Sequence, residues 1–171
     1  MIRQLTLQET QTYLSDDSVR PHLSAAYRND CNRQVWALFE DQYASAHQPS
    51  PEPLAVICVA YTNAAPRDEF ELGWFSSACA SGAVTANTAV FYTVWSYARG
   101  AGRQIVNSVA EHIRSTQPEI TRWVTLSPLT DMAEQFHLRN GARLHSKHTT
   151  CQIFEYTRLM QSAESKQARS A

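Results

Sequence analysis

Ser127 and His137 stand ten positions apart, and a serine with a histidine is one residue combination able to move a proton. A histidine ordinarily titrates at about pH 6.5, close to working pH, so it can act as acid or base. A serine hydroxyl can orient it or bond an anion. Spacing alone leaves plainer roles open. Ser127-Pro128 is a good helix start, with Ser as N-cap and Pro in the first turn. His137 can equally be a helix-end residue bonding a carbonyl. A second stretch suits an anion: Tyr97-Ala98-Arg99-Gly100-Ala101-Gly102-Arg103. Glycines let the backbone approach a phosphate with its N–H groups outward. A helix behind them adds its positive end, and Arg99 and Arg103 add charge. The same run can also be only a tight turn.

The elements around these residues read as a βαβ unit. Ala89 to Trp95 is an apolar, β-branched run and predicts a buried strand. After the glycine turn, Ile105, Val109 and Ile113 recur at four-residue steps and predict a helix over 104–116. A strand follows over 121–126, then a short helix from Asp131 to Leu138 that stops at Asn140-Gly141. Upstream, Ile2 to Leu7 alternates as a first strand, and Thr6 or Thr10 can cap a short helix through Leu14. Asp16-Asp17-Ser18 and Arg20-Pro21 mark a break. Arg33 to Glu40 and Leu54 to Tyr61 read as paired strands joined by a long loop over 43–53. The run from Asp68 to Ala86 is the least legible. Glu69 to Phe75 is expected to be a short helix or an irregular lid, and Ser76 to Thr85 a small, polar, mobile run. Trp74 and Phe75 are expected to enter the core more readily than to cover a substrate. Ala142 to His145 and Thr149 to Thr157 complete the sheet as an antiparallel pair.

Composition narrows the function classes. The 171 residues suit one domain, expected over 1–160, with a polar tail over 161–171. Fifteen Lys and Arg against sixteen Asp and Glu leave a net charge of -1, which gives nucleic-acid binding no bulk electrostatic support. No apolar run approaches the ~20 residues that cross a bilayer, and no signal-peptide pattern opens the chain. Cys31, Cys58, Cys79 and Cys151 are widely spaced, so neither a zinc site nor a disulfide framework is expected. The expectation is a cytoplasmic protein with reduced thiols.

Two resemblances sharpen this. Tyr97-Ala98-Arg99-Gly100-Ala101-Gly102 resembles the pyrophosphate loop of the GNAT acyltransferase superfamily, Arg/Gln-x-x-Gly-x-Gly/Ala, departing at its first position, where Tyr97 stands. Ala89-Val90-Phe91-Tyr92-Thr93-Val94, Thr125-Leu126-Ser127-Pro128 and Phe136-His137-Leu138-Arg139-Asn140-Gly141-Ala142 resemble, in order, the "VFYSIS", "TLSP" and "FHLxNGA" of malonyl-CoA decarboxylases. Glu52-Pro53-Leu54 to Ala60 resembles their "EPLIFVEVAL". The resemblance spans roughly 33–156. It has no counterpart of the family's helical N-terminal domain, and the interval between the serine and the histidine is shorter. In these respects the chain is similar to small malonyl-acyl-carrier-protein decarboxylases and to a related domain of polyketide loading modules.

The resemblance implies an α/β (α+β) GNAT-like fold: a mixed, mostly antiparallel sheet with two splayed parallel strands, flanked by helices. It implies a malonyl thioester decarboxylase, a carbon–carbon lyase acting on malonyl-acyl carrier protein in preference to malonyl-CoA and supplying acetyl groups to fatty acid initiation. Ser127 and His137 are then the catalytic residues. Val94, Trp95 and Asn140 contact substrate, and Tyr97, Arg99, Gly100, Ala101, Gly102 and Arg103 hold the phosphopantetheine. The chemistry requires neither metal nor redox cofactor, since fixed N–H donors can hold the enolate oxygen. Acyl carrier protein is the expected partner, with Arg99, Arg103, Arg114 and Arg122 facing its acidic helix. Oligomeric state stays open between monomer and homodimer. The rivals are a GNAT N-acetyltransferase and a non-catalytic acyl-CoA or carrier-protein binding module.

Overall fold

The computed structural model describes residues 1–40 and 52–157. The expected 161–171 tail and nearly all of the 43–53 loop lie outside these residues. The strands, in chain order, are β1 (Ile2–Gln4), β2 (Arg33–Leu38), β3 (Ala55–Thr62), β4 (Thr88–Ser96), β5 (Arg122–Pro128), β6 (Arg143–Lys147) and β7 (Cys151–Glu155). They form one sheet in the order β1-β2-β3-β4-β5-β7-β6. Every neighbouring pair is antiparallel except β4 and β5. The helices are α1 (Leu7–Tyr13), α2 (Ala25–Arg28), α3 (Glu69–Ala80), α4 (Ala101–Thr116) and α5 (Asp131–Arg139). This is the mixed α/β architecture that the resemblance implies.

The sheet separates two cores. Ile57, Val59 and Phe91 pack against Ile105, Val109 and Ile113 of α4. Val56, Cys58, Val90 and Leu126 face the other way, with Leu5 and with Leu72 of α3. All eight residues of β3 are buried, which is why its sequence is an unbroken apolar run.

The feature that creates the site is where β4 and β5 stop pairing. Their register runs from Thr88↔Arg122 to Phe91↔Thr125 and ends there, although both strands continue. At the same level β4 bulges against β3: Val59 pairs with Phe91 and Cys58 with Thr93, leaving Tyr92 as the extra residue. A bulge bends and twists its strand, and beyond it the two parallel strands diverge.

Several expectations are corrected. The 68–86 segment holds a 12-residue helix, α3, capped by Asp68, whose side chain accepts from the Glu71 amide. Ser76, expected to be mobile, is buried and receives Nη1 of Arg33. Gly73 leaves room for Tyr27, whose Oη would lie 3.4 Å from an added Cβ. Trp74 enters neither core: it is 66% exposed and stacks on Phe70. Small residues along α3 blur its helical period, and its partners are distant in sequence. Helix α4 begins at Ala101 rather than Gln104, because Gly100 takes a left-handed conformation (φ 83°) that starts the helix inside the glycine run.

Candidate functional site

Between the diverging ends of β4 and β5 lies a cleft of about 620 Å³. Ser127 and His137 both line it and both are buried. Ser127 belongs to β5, where it pairs with Gln152 and Pro128 pairs with Cys151, so it does not cap α5. Thr130 does, accepting from the Ala133 amide. Asp131 and Glu134 place negative charge in the first turn. Helix α5 thereby carries His137 back over the strand that bears Ser127.

The His137 Nε2 atom lies 2.7 Å from Ser127 Oγ, and its Nδ1 lies 3.0 Å from Tyr156 Oη. The histidine thus bonds two hydroxyls rather than a main-chain carbonyl. Ser127 donates to Thr125 Oγ1 at 3.0 Å, and Thr125 Oγ1 also accepts from the Phe154 amide. Since the serine proton is engaged, the network assigns the ring proton to Nε2 and leaves Nδ1 to accept from Tyr156. The imidazole stacks on Phe154 at 4.9 Å and meets the edge of Phe136 at 5.2 Å. Burial among these rings disfavours the imidazolium and lowers the His137 pKa to about 4. Burial likewise raises that of Tyr156, which keeps its proton. Sequence reading passed over Tyr156 and Thr125. Tyr156 ends an alternating strand run that carries no motif, and Thr125 sits in the "TLSP" segment without a distinguishing neighbour.

At the mouth, Tyr97 donates to Asp16 Oδ2 at 2.7 Å and accepts from the Trp95 indole at 3.0 Å. Burial first, and then its bond to Asp16, push the Tyr97 phenol up to about 12. Val94, Trp95, Tyr97 and Gly102 all line the cleft. No side chain caps the start of α4, where the Ala101 amide bonds the Ala98 carbonyl and the helix dipole leaves its positive end at the glycine turn. Gly100 and Arg99 are exposed in the turn beside it, while Ala101 is packed into the α4 core. Arg103 and Asn140 line a neighbouring groove with Gln135 and Arg139, not the cleft. The Asn140 amide bonds the last carbonyls of α5, and Gly141 (φ 84°) takes the left-handed position. The arginine set divides: Arg114 pairs with Glu111 and Arg122 with Glu155. Among the described residues that line the cleft, Asp16 is the one carboxylate and His137 the one imidazole.

Elsewhere His22 pairs with Glu69 at 2.7 Å, a contact the sequence did not suggest, and His112 lies against Trp36. All four cysteines are free thiols. Among the described residues, no three His, Cys, Asp or Glu come together to hold a metal ion, and no helix is long and apolar enough to cross a membrane.

No protein-family model matches the chain, and no curated protein does. Solved structures do match it. Malonyl-CoA decarboxylase from Agrobacterium vitis is 17% identical over 100% of this chain and 63% of its own, with a TM-score of 0.66. The Rhodopseudomonas palustris malonyl-CoA decarboxylase is 16% identical over 91% and 59%, with a TM-score of 0.56. The fold is that of malonyl-CoA decarboxylases and GNAT acetyltransferases. Arabidopsis thaliana NAA60, in complex with a bisubstrate analogue, represents the second group: 12% identical over 91% of this chain and 97% of its own, TM-score 0.59. The chain therefore spans less than two thirds of the length of these two decarboxylases.

Proposed function

We propose that this protein decarboxylates a malonyl thioester to the acetyl thioester and carbon dioxide, with Ser127 and His137 as its catalytic residues. The observation that carries the reading is the hydrogen-bonded run Thr125–Ser127–His137–Tyr156 at the point where β4 and β5 part. Among the described residues, no lysine or arginine lines the cleft. A carboxylate entering it meets hydroxyls and an imidazole rather than a full counter-charge, which favours its loss as neutral carbon dioxide. The neutral His137 takes up a proton as the carboxylate approaches, because a nearby anion raises its pKa. Once carbon dioxide departs, burial makes that imidazolium a strong acid, and it protonates the enolate carbon. One C–C bond breaks, one C–H bond forms, and one proton is drawn from solution. Ser127 and the main chain near Val94 and Trp95 orient the thioester.

Acyl carrier protein is the preferred carrier in this reading. Where the superfamily loop has Arg or Gln this chain has Tyr97, tied to the carboxylate of Asp16. That favours a single phosphodiester, held by the Gly100–Gly102 turn with Arg99 and Arg103 nearby, over the more anionic coenzyme A. The acetyl product would then serve fatty acid initiation. The deciding experiment compares initial rates on malonyl-acyl carrier protein and malonyl-CoA, with product masses, for wild type and His137→Ala. Acetyl product that disappears in a folded variant is expected; unaltered turnover removes His137 from the mechanism. A second reading, acyl transfer, draws on the NAA60 likeness, including a structure with acetyl-CoA. Acetylation of amines by acetyl-CoA in the same assay would favour it. Tight binding with no product of either kind would favour a non-catalytic binder.

A further inference from the structure

Arg20 lies far from the catalytic pair in sequence, in a stretch that reads as a break, yet its side chain is buried at the strand divergence. One Nη bonds the Tyr92 carbonyl, and the other bonds the Leu126 carbonyl at 2.9 Å. These residues immediately follow the last paired positions, Phe91 and Thr125. A single guanidinium therefore replaces the next ladder hydrogen bonds and holds two buried carbonyls apart. Nε meets Glu69 Oε1 at 2.8 Å as an ion pair rather than an aligned hydrogen bond. The loop carrying Arg20 is itself fixed. Asp17 Oδ1 accepts the amides of Val19 and Arg20, and the fully buried Arg28 binds both Asp17 Oδ2 and the Arg20 carbonyl at 2.6 Å.

We propose that Arg20 is a positioning residue that sets the width of the β4–β5 gap and seals it from behind, so that the bound thioester is decarboxylated rather than attacked by a second reactant. The proposal rests on the thioester reading above. Leu126 lines both the catalytic cleft and a second groove beside the start of α3, and that groove also contains Arg20 and Glu69. The guanidinium stands between the two. Water or an amine arriving from the α3 side would have to displace it to reach a thioester carbonyl in the gap. The planar fork suits this position because it satisfies two carbonyls at a fixed spacing, which an ammonium on a flexible stem does less well. The Glu69 carboxylate in front of it and the Asp17–Arg28 pair behind its loop hold the guanidinium in place.

The test uses the full chain with Arg20→Lys and Arg20→Ala, following acetyl thioester, free thiol and carbon dioxide together. Decarboxylation should fall on the order of 100-fold in kcat, with KM nearly constant because the Arg20 side chain bonds no residue of the phosphate turn. Free thiol per acetyl product should rise, and added guanidinium ion should restore part of the rate of Arg20→Ala. Lost turnover with an unchanged thiol ratio and no rescue would overturn the proposal. Hydrogen exchange provides a readout independent of activity. Amides over 92–94 and those of Leu126 and Ser127 should exchange faster in Arg20→Lys while those of β2 and β3 hold. Unchanged exchange there overturns the role of Arg20 even if the enzyme is active. A wild-type protein inert towards both malonyl thioesters refutes the function instead, and exchange still decides the role of Arg20 in holding the gap.

Discussion

Acid should destabilise this protein through His137, and by an amount that can be worked out. In the unfolded chain the imidazole titrates near 6.5, whereas burial against Phe154 and Phe136 lowers it to about 4 in the fold. Between these values the unfolded chain binds a proton that the folded protein refuses, so stability rises with pH across that window and is lost as pH falls through it. From pH 7 to pH 4.5 the loss from this one group is about 2 kcal/mol. Other groups also weaken the fold in acid. Glu155, held low by its bond to Arg122, is one, but such groups are shared with a His137→Gln variant and cancel in the comparison. Urea unfolding of both proteins at the two pH values isolates the histidine's contribution. With a slope of about 2 kcal/mol/M, the wild-type midpoint should drop about 1 M more than that of the variant. Equal drops would show that folding does not lower the His137 pKa, and the strongly acidic imidazolium proposed for catalysis would fail with it.

Tyr156→Phe removes the donor to Nδ1 and should lower turnover by about 10–100-fold while costing about 1–3 kcal/mol, since Nδ1 is left buried without a partner. Steady-state rates with a melting curve check both. Thr130→Ala removes the α5 cap and should cost about 1 kcal/mol; the melting temperature should fall, and a larger fall in kcat would show that α5 fraying misplaces His137. Gly102→Val adds a side chain beside Ser96 and Val94, where even a Cβ already makes ordinary contacts at 3.6–3.9 Å. It should raise KM for the thioester with little change in thermal stability, because the added bulk enters the cleft mouth rather than the core. A constant KM would move the phosphate away from this turn.

Much of the frame was legible in local pattern. The unbroken apolar run of β3 declared a central strand, and Ile105, Val109 and Ile113 declared α4, because period and burial are written along a short stretch. The motifs around Ser127 and His137 pointed to the strand and helix that carry them. Helix α3 was not legible, since its serines, alanines and Gly73 leave the period faint and its packing partners, Tyr27 and Arg33, are supplied from elsewhere. Trp74 was misplaced because hydrophobicity alone does not say which side of a helix faces the sheet.

The sequence by itself determined the βαβ unit and the glycine turn through neighbours within about one element's length, while Ser127 and His137 stood out by the resemblance of the motifs around them. Tertiary structure alone decided that Tyr156 completes the run through His137 and that Thr130, not Ser127, caps α5. It also decided that Arg20, from an apparent turn, stands in the gap between β4 and β5. The contacts of Tyr156 and Arg20 join positions 19 and 106 residues apart. Their energies depend on burial and geometry that exist only once the sheet has closed around them.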